Sequence, residues 1–147
     1  MSSPPESPDL SIPDRNLWFG WWSLLVYLTL GIVLEVLHGF KIGWYLNVGN
    51  ETRRLMFTLA HAHGVLLALV NVAGGLTARV VPSFVMSRQI SLSLLWSAVL
   101  LPGGFLLSGL WVQDGDPGWG IVLVPIGAFM LLYGVALTAW ALSHAKT

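Results

Sequence analysis

The sequence predicts an all-α integral membrane protein built as an antiparallel bundle of four membrane-spanning helices. Of its 147 residues, 55% are hydrophobic and only 10% are charged, whereas soluble domains average about 45–50% apolar and about 25% charged residues. A soluble chain this short could not hide so much apolar surface from water. Four stretches are each as long and as apolar as the roughly 20 residues that a helix needs to cross a bilayer.

The four spans follow a polar start. Residues 1–16 are rich in proline and lack the basic start and short apolar run of a secretory signal, so we expect a disordered tail there. Residues 17–147 are expected to form one four-helix domain. Its spans are predicted at about 17–40, 52–78, 90–112 and 119–142. These segments are too long and too continuously apolar for the strands of a membrane barrel.

Composition excludes several classes of function. The net charge is zero, so nothing indicates a nucleic-acid partner. The chain has no cysteine, which excludes disulfides, thiolate metal sites and iron–sulfur clusters. No phosphate-binding glycine loop or nucleophile elbow is present, and whether the protein is an enzyme stays open.

The distribution of lysine and arginine predicts the orientation in the membrane. Four of these residues fall on the side that holds both termini, and three fall on the other side. The first group is Arg15, Arg79, Arg88 and Lys146, and the second is Lys41, Arg53 and Arg54. This small excess favours a multi-pass protein of the cell inner membrane with cytoplasmic termini.

Ionisable residues inside the spans are the candidate site residues, because such residues cost about 2.5–3.5 kcal/mol each on insertion scales. Glu35 and His38 are three residues apart and share one face of the first helix. At about 1.5 Å per residue, the depth of Glu35 overlaps that of His61 and His63 in the second helix. His61 and His63 are two residues apart and therefore point in opposite directions.

Imidazole and carboxylate groups suit copper, iron or zinc, and imidazole alone is the usual axial ligand of haem. We therefore expect a buried His/Glu site for electron transfer, metal handling or redox sensing. Its metal ligands would be Glu35, His38 and His61, or its haem b ligand would be His61 or His63. Asn71 is expected to hydrogen-bond behind the ligands.

Two other functions remain open from the same residues. The chain could be an accessory subunit without a cofactor that packs against a larger membrane complex. Its expected partners are the lipid bilayer and either further copies of itself, as a homo-oligomer, or a larger membrane complex. It could instead be a proton-relay or transport subunit, since carboxylate and histidine chains carry protons in membrane proteins. Glu35 could also pair with a histidine only to neutralise a buried charge.

One helix resembles a known type. The segment Thr58–Gly75 (TLAHAHGVLLALVNVAGG) resembles the histidine-containing helices of haem–copper oxidase catalytic subunits, in which a His–x–His pair serves haem or copper. The whole chain, including the run GDPGWGIVLVPIGA, resembles small four-span membrane proteins of bacteria. The oxidase resemblance implies His61 or His63 as a ligand.

Overall fold

The structure, a computed structural model, describes residues 10–47 and 51–145, and over these residues it is all-α. The elements are α1 (Ser11–Gly39), α2 (Glu51–Val80), α3 (Arg88–Leu110) and α4 (Leu123–His144), the last preceded by a 3₁₀ turn at Trp119–Val122. Four helices, counting the turn with α4, are long and apolar enough to cross a membrane. The predicted helical class and the four apolar helices are confirmed.

Helix α1 begins at Ser11, earlier than the span predicted from Leu17. Pro13 lies in the first turn, where the missing N–H costs no intrahelical hydrogen bond. Asn16 is fully buried against the other helices, which holds this polar turn in place. Residues 11–16 of the expected tail are therefore helical, and residues 1–9 lie outside the described part of the chain.

The four helices form an open row with α2 and α3 at its centre. Helix α1 packs along α2 and only lightly on α3, while α4 packs along α3. Gly75 of α2 lies against Leu17 of α1, and Gly64 lies against the ring of Tyr27. The absent Cβ atoms let the two backbones approach closely. As a result α1 and α4 leave most of their surfaces uncovered.

A buried hydrogen-bond network joins α1, α2 and α3. Asn16 Nδ2 donates to Asn71 Oδ1 over 2.8 Å, and Ser91 Oγ donates to Asn16 Oδ1. Asn71 Nδ2 donates to the carbonyl of Leu67 at 2.9 Å and to that of Leu94 at 3.0 Å. Because buried polar groups are costly unless bonded, this network fixes how the three helices meet.

Arg53 stabilises the opposite end of the row, which is the end along the helix axes at which α1 connects to α2. Its Nε donates to the carbonyl of Gly109 at 3.2 Å and its Nη1 donates to that of Trp44 at 3.0 Å. The guanidinium also lies 4.6 Å from the centre of the Trp44 ring, a cation–π distance. The segment after α1 is thereby held against α2 and α3.

Candidate functional site

Three of the residues expected in the site line one groove between α1 and α2, near the end of the row that Arg53 fastens. The groove has a volume of about 250 Å³. We call it the polar groove, and its lining residues are Gly31, Leu34, Glu35, His38, Tyr45, Thr58 and His61.

His61 is held in the polar groove by the backbone of α1. Its Nδ1 lies 2.8 Å from the carbonyl oxygen of Tyr27. A carbonyl only accepts, so Nδ1 carries the proton and Nε2 of the neutral ring is left as an acceptor. The ring lies over Gly31, where an added Cβ would come within 2.8 Å of Nδ1. Gly31 is therefore required for this position of the imidazole.

Glu35 and His38 are exposed at the open side of the polar groove. The residue of this turn that is buried is Leu34, which packs with Tyr45 and Phe57. Neither Glu35 nor His38 forms a side-chain hydrogen bond or ion pair with another residue of ranges 10–47 and 51–145. The helical phase of α1 thus leaves an acidic group exposed at the groove and does not bury it between the helices.

These positions contradict the predicted function of a metal- or haem-binding protein with a buried His/Glu site. In the part of the chain that the structure describes, no group of three His, Cys, Asp or Glu residues converges to hold a metal ion. The fully buried polar residues of that part are asparagines and serines and carry no charge. Similar depth along adjacent helices brings Glu35, His38 and His61 to one groove, but Glu35 and His38 are exposed there, and the backbone carbonyl of Tyr27 accepts the hydrogen bond of His61 Nδ1.

His63 and Asn71 lie away from the polar groove. His63 turns toward α3, where its ring lies 5.2 Å from that of Phe105, and its Nδ1 bonds the carbonyl of Leu59 at 2.9 Å. Asn71 lies about 15 Å further along α2 than His61 at about 1.5 Å per residue. Its hydrogen bonds belong to the buried network described above.

Thr58, Gly31 and Tyr45 are groove residues that the sequence reasoning missed. Thr58 lies three residues before His61 and Gly31 lies four before Glu35, so helical spacing alone places each on the face of a predicted site residue. The Thr58 hydroxyl donates to the carbonyl of Arg54 at 2.9 Å, which leaves its oxygen free to accept.

The polar groove is consequently rich in hydrogen-bond acceptors. Ionised Glu35 is acceptor-only, and His61 Nε2 and Thr58 Oγ1 each offer an acceptor. The His38 imidazole and the Tyr45 hydroxyl are donors in the lining, and a cationic donor lies on the same side of α2. Arg54 is one turn from Thr58, and within residues 10–47 and 51–145 its guanidinium forms only a long 3.4 Å contact with Glu51.

Comparison of this chain with protein-family models, with curated proteins and with solved structures gives no match.

Proposed function

We propose that the chain is a multi-pass protein of the bacterial inner membrane, in which the four helices of the row run antiparallel and both termini are cytoplasmic. The four long apolar helices support the membrane location. Contacts of Leu17 with Gly75 and of Gly31 with His61 support antiparallel packing of α1 and α2. Exposed tryptophans near both ends of the row match the interfacial belts of membrane proteins. They are Trp18, Trp21, Trp22, Trp44, Trp111 and Trp119.

Within the membrane the protein works as a self-assembling subunit, and the polar groove lies in the contact between two copies. The observation that carries this proposal is the exposed carboxylate of Glu35 inside an apolar helix. A charged side chain at the bilayer centre costs about 2.5–3.5 kcal/mol on insertion scales, and the cost falls toward the membrane surface. A partner that donates to Glu35 would offset the part of this cost that applies at the depth of Glu35.

A second copy of the chain offers that donor at the right depth. Glu35 lies about 6 Å from the end of α1 at Gly39, and Arg54 lies about 4.5 Å from the start of α2 at Glu51, at about 1.5 Å per residue. Consider two copies that are inserted in the same direction and related by a two-fold axis along the membrane normal. Residues at equal depth in the two copies then lie side by side. A two-fold contact uses one patch twice, so it needs both donors and acceptors on that patch. Glu35 and Arg54 supply them.

The geometry predicts two equivalent ion pairs, Glu35 of each copy with Arg54 of the other. Arg54 is the better partner in such a contact because its planar guanidinium binds a carboxylate through two parallel hydrogen bonds. Removing one partner of a desolvated pair costs about 2 kcal/mol or more, which weakens association more than tenfold.

Charge exchange tests this proposal. Glu35→Lys and Arg54→Glu are each expected to shift the purified protein in lipid nanodiscs or detergent from dimer to monomer. The double variant carrying both changes restores the opposite charges and is expected to restore the dimer. Glu51→Gln is the matched control, because Glu51 is exposed beside Arg54 and outside the polar groove.

Two results would overturn the proposal. A wild-type protein that is monomeric at all concentrations has no such contact. A dimer that both single variants leave intact uses another surface. A monomer that binds a different membrane protein through Glu35 would instead make the chain a subunit of a larger complex.

A further inference from the structure

A long apolar cleft runs along the other side of the row, between α1 and α3. It exists because both helices pack on α2 and touch each other only lightly. The cleft consists of two neighbouring cavities of about 320 Å³ and about 220 Å³, which share Phe19 and Val99. At its inner end the Tyr27 hydroxyl donates to the carbonyl of Ala98 at 3.1 Å and closes the gap between the helices.

Two arginines lie at the outer end of this cleft. Arg15 lines the first cavity, and its Nη2 donates to Ser91 Oγ at 2.7 Å. Arg88 begins α3 and is spaced with Leu92 and Val99 so that all three share one helix face. Since Leu92 and Val99 line the cleft, helical spacing places Arg88 on the same face, one turn before the first lining residue of α3.

The charge of this pair is not neutralised within the described part of the chain. Among the residues that the structure describes at this end of the row, Asp14 is the acidic one, and it forms an ion pair with Arg79. Among the described residues, the Arg15 side chain bonds only the neutral hydroxyl of Ser91, and Arg88 forms no ion pair.

We infer that the cleft binds an anionic phospholipid, with its phosphate on Arg15 and Arg88 and one acyl chain along α1 and α3. This inference rests on the membrane location proposed above and not on the dimer. Basic sites between membrane helices on the cytoplasmic side recognise anionic headgroups. The phosphate accepts hydrogen bonds that guanidinium groups donate in a matching geometry.

The size of the cleft fits this ligand. From Arg15 to Val26 the lining of α1 extends over about 16 Å at about 1.5 Å per residue. One leaflet contributes about half of a hydrocarbon core that is about 30 Å thick. The cleft is therefore as long as one acyl chain, with its two cations where the headgroup lies. Trp18 lines the cleft one turn from Arg15, with a ring suited to the interface.

Lipid retention measured by native mass spectrometry tests the inference. The protein is delipidated in detergent and offered phosphatidylglycerol or phosphatidylcholine with identical acyl chains. Wild type is expected to retain phosphatidylglycerol in preference to phosphatidylcholine. Each arginine contributes roughly a fivefold preference at the membrane surface. Arg88→Gln is therefore expected to lower the preference roughly fivefold, while Arg88→Lys keeps most of it.

Matched variants separate the two parts of the site. Lys41→Gln removes a positive charge at the opposite end of the row and is expected to leave the preference unchanged. Val99→Phe fills the point at which the two cavities join and is expected to lower retention of both lipids, whereas Leu132→Phe on the exposed side of α4 does not.

The inference is wrong if wild type retains both lipids equally, or if Lys41→Gln and Arg88→Gln lower the preference alike. Retention of phosphatidylglycerol that is insensitive to Val99→Phe would place the lipid outside the cleft. Glu35 and Arg88 lie at opposite ends of the row. The effect of Glu35→Lys on the dimer can therefore be measured separately from the effect of Arg88→Gln on lipid retention.

Discussion

Asn71 is the residue whose removal should most disturb the junction of α1, α2 and α3. It is fully buried and bonds Asn16 of α1 and the carbonyl of Leu94 in α3. Measured interhelical hydrogen bonds in a membrane protein average about 0.6 kcal/mol and reach about 1.7 kcal/mol. Two such bonds are worth about 1 kcal/mol, and truncation to alanine adds the cost of a cavity. We expect Asn71→Ala to lower the free energy of unfolding by about 2 kcal/mol.

Two further variants separate the hydrogen bonds from the packing. Asn71→Leu fills the space but cannot bond, and is expected to cost about 1 kcal/mol. Thr77→Val is the control, because among the described residues the exposed hydroxyl of Thr77 bonds only the Ala73 carbonyl of its own helix. Unfolding is followed by far-ultraviolet circular dichroism during titration of mixed micelles with a denaturing detergent. If Asn71→Leu and Thr77→Val are both as stable as wild type, the network does not hold the helices together.

Close packing of α1 on α2 and the number of membrane crossings give two further predictions. Gly64→Val is expected to cost about 1–3 kcal/mol in unfolding free energy, because a side chain there collides with the ring of Tyr27, whereas Gly103→Val meets open space and serves as the control. Since the chain has no cysteine, Asp116→Cys and Ala145→Cys should react with impermeant maleimide from opposite sides of the membrane; labelling of both from one side would contradict the proposed crossings.

Hydropathy and length were sufficient to predict the four helices, because crossing a membrane constrains both quantities strongly. They were insufficient to predict how the helices face each other. Helix α1 is apolar on nearly all sides, so its sequence carries little information on which side meets α2. The structure buries Leu34 and exposes Glu35, and the expected buried site fails at this point.

The buried network shows the same limit from the other direction. The sequence places Asn16 in the tail because its neighbours are polar and include proline. In the structure α1 begins before Asn16, and the Asn16 amide donates a hydrogen bond to Asn71. The hydrogen bond between residues 16 and 71 depends on the tertiary contact of two helices, and a local sequence pattern does not predict that contact. By contrast, the shared depth of Glu35 and His61 followed from helical rise alone, and both do line one groove.

The most direct test of the proposed dimer uses single cysteines in native membranes. Ile32 is exposed on α1 and lies three residues before Glu35, on the same side of the helix. Phe129 is exposed on α4, the outermost helix on the side of the row away from α1. If two copies meet at the polar groove, Ile32→Cys forms a disulfide-linked dimer on mild oxidation and Phe129→Cys does not. Cross-linking at Phe129 without cross-linking at Ile32 would contradict the account and place the contact on α4.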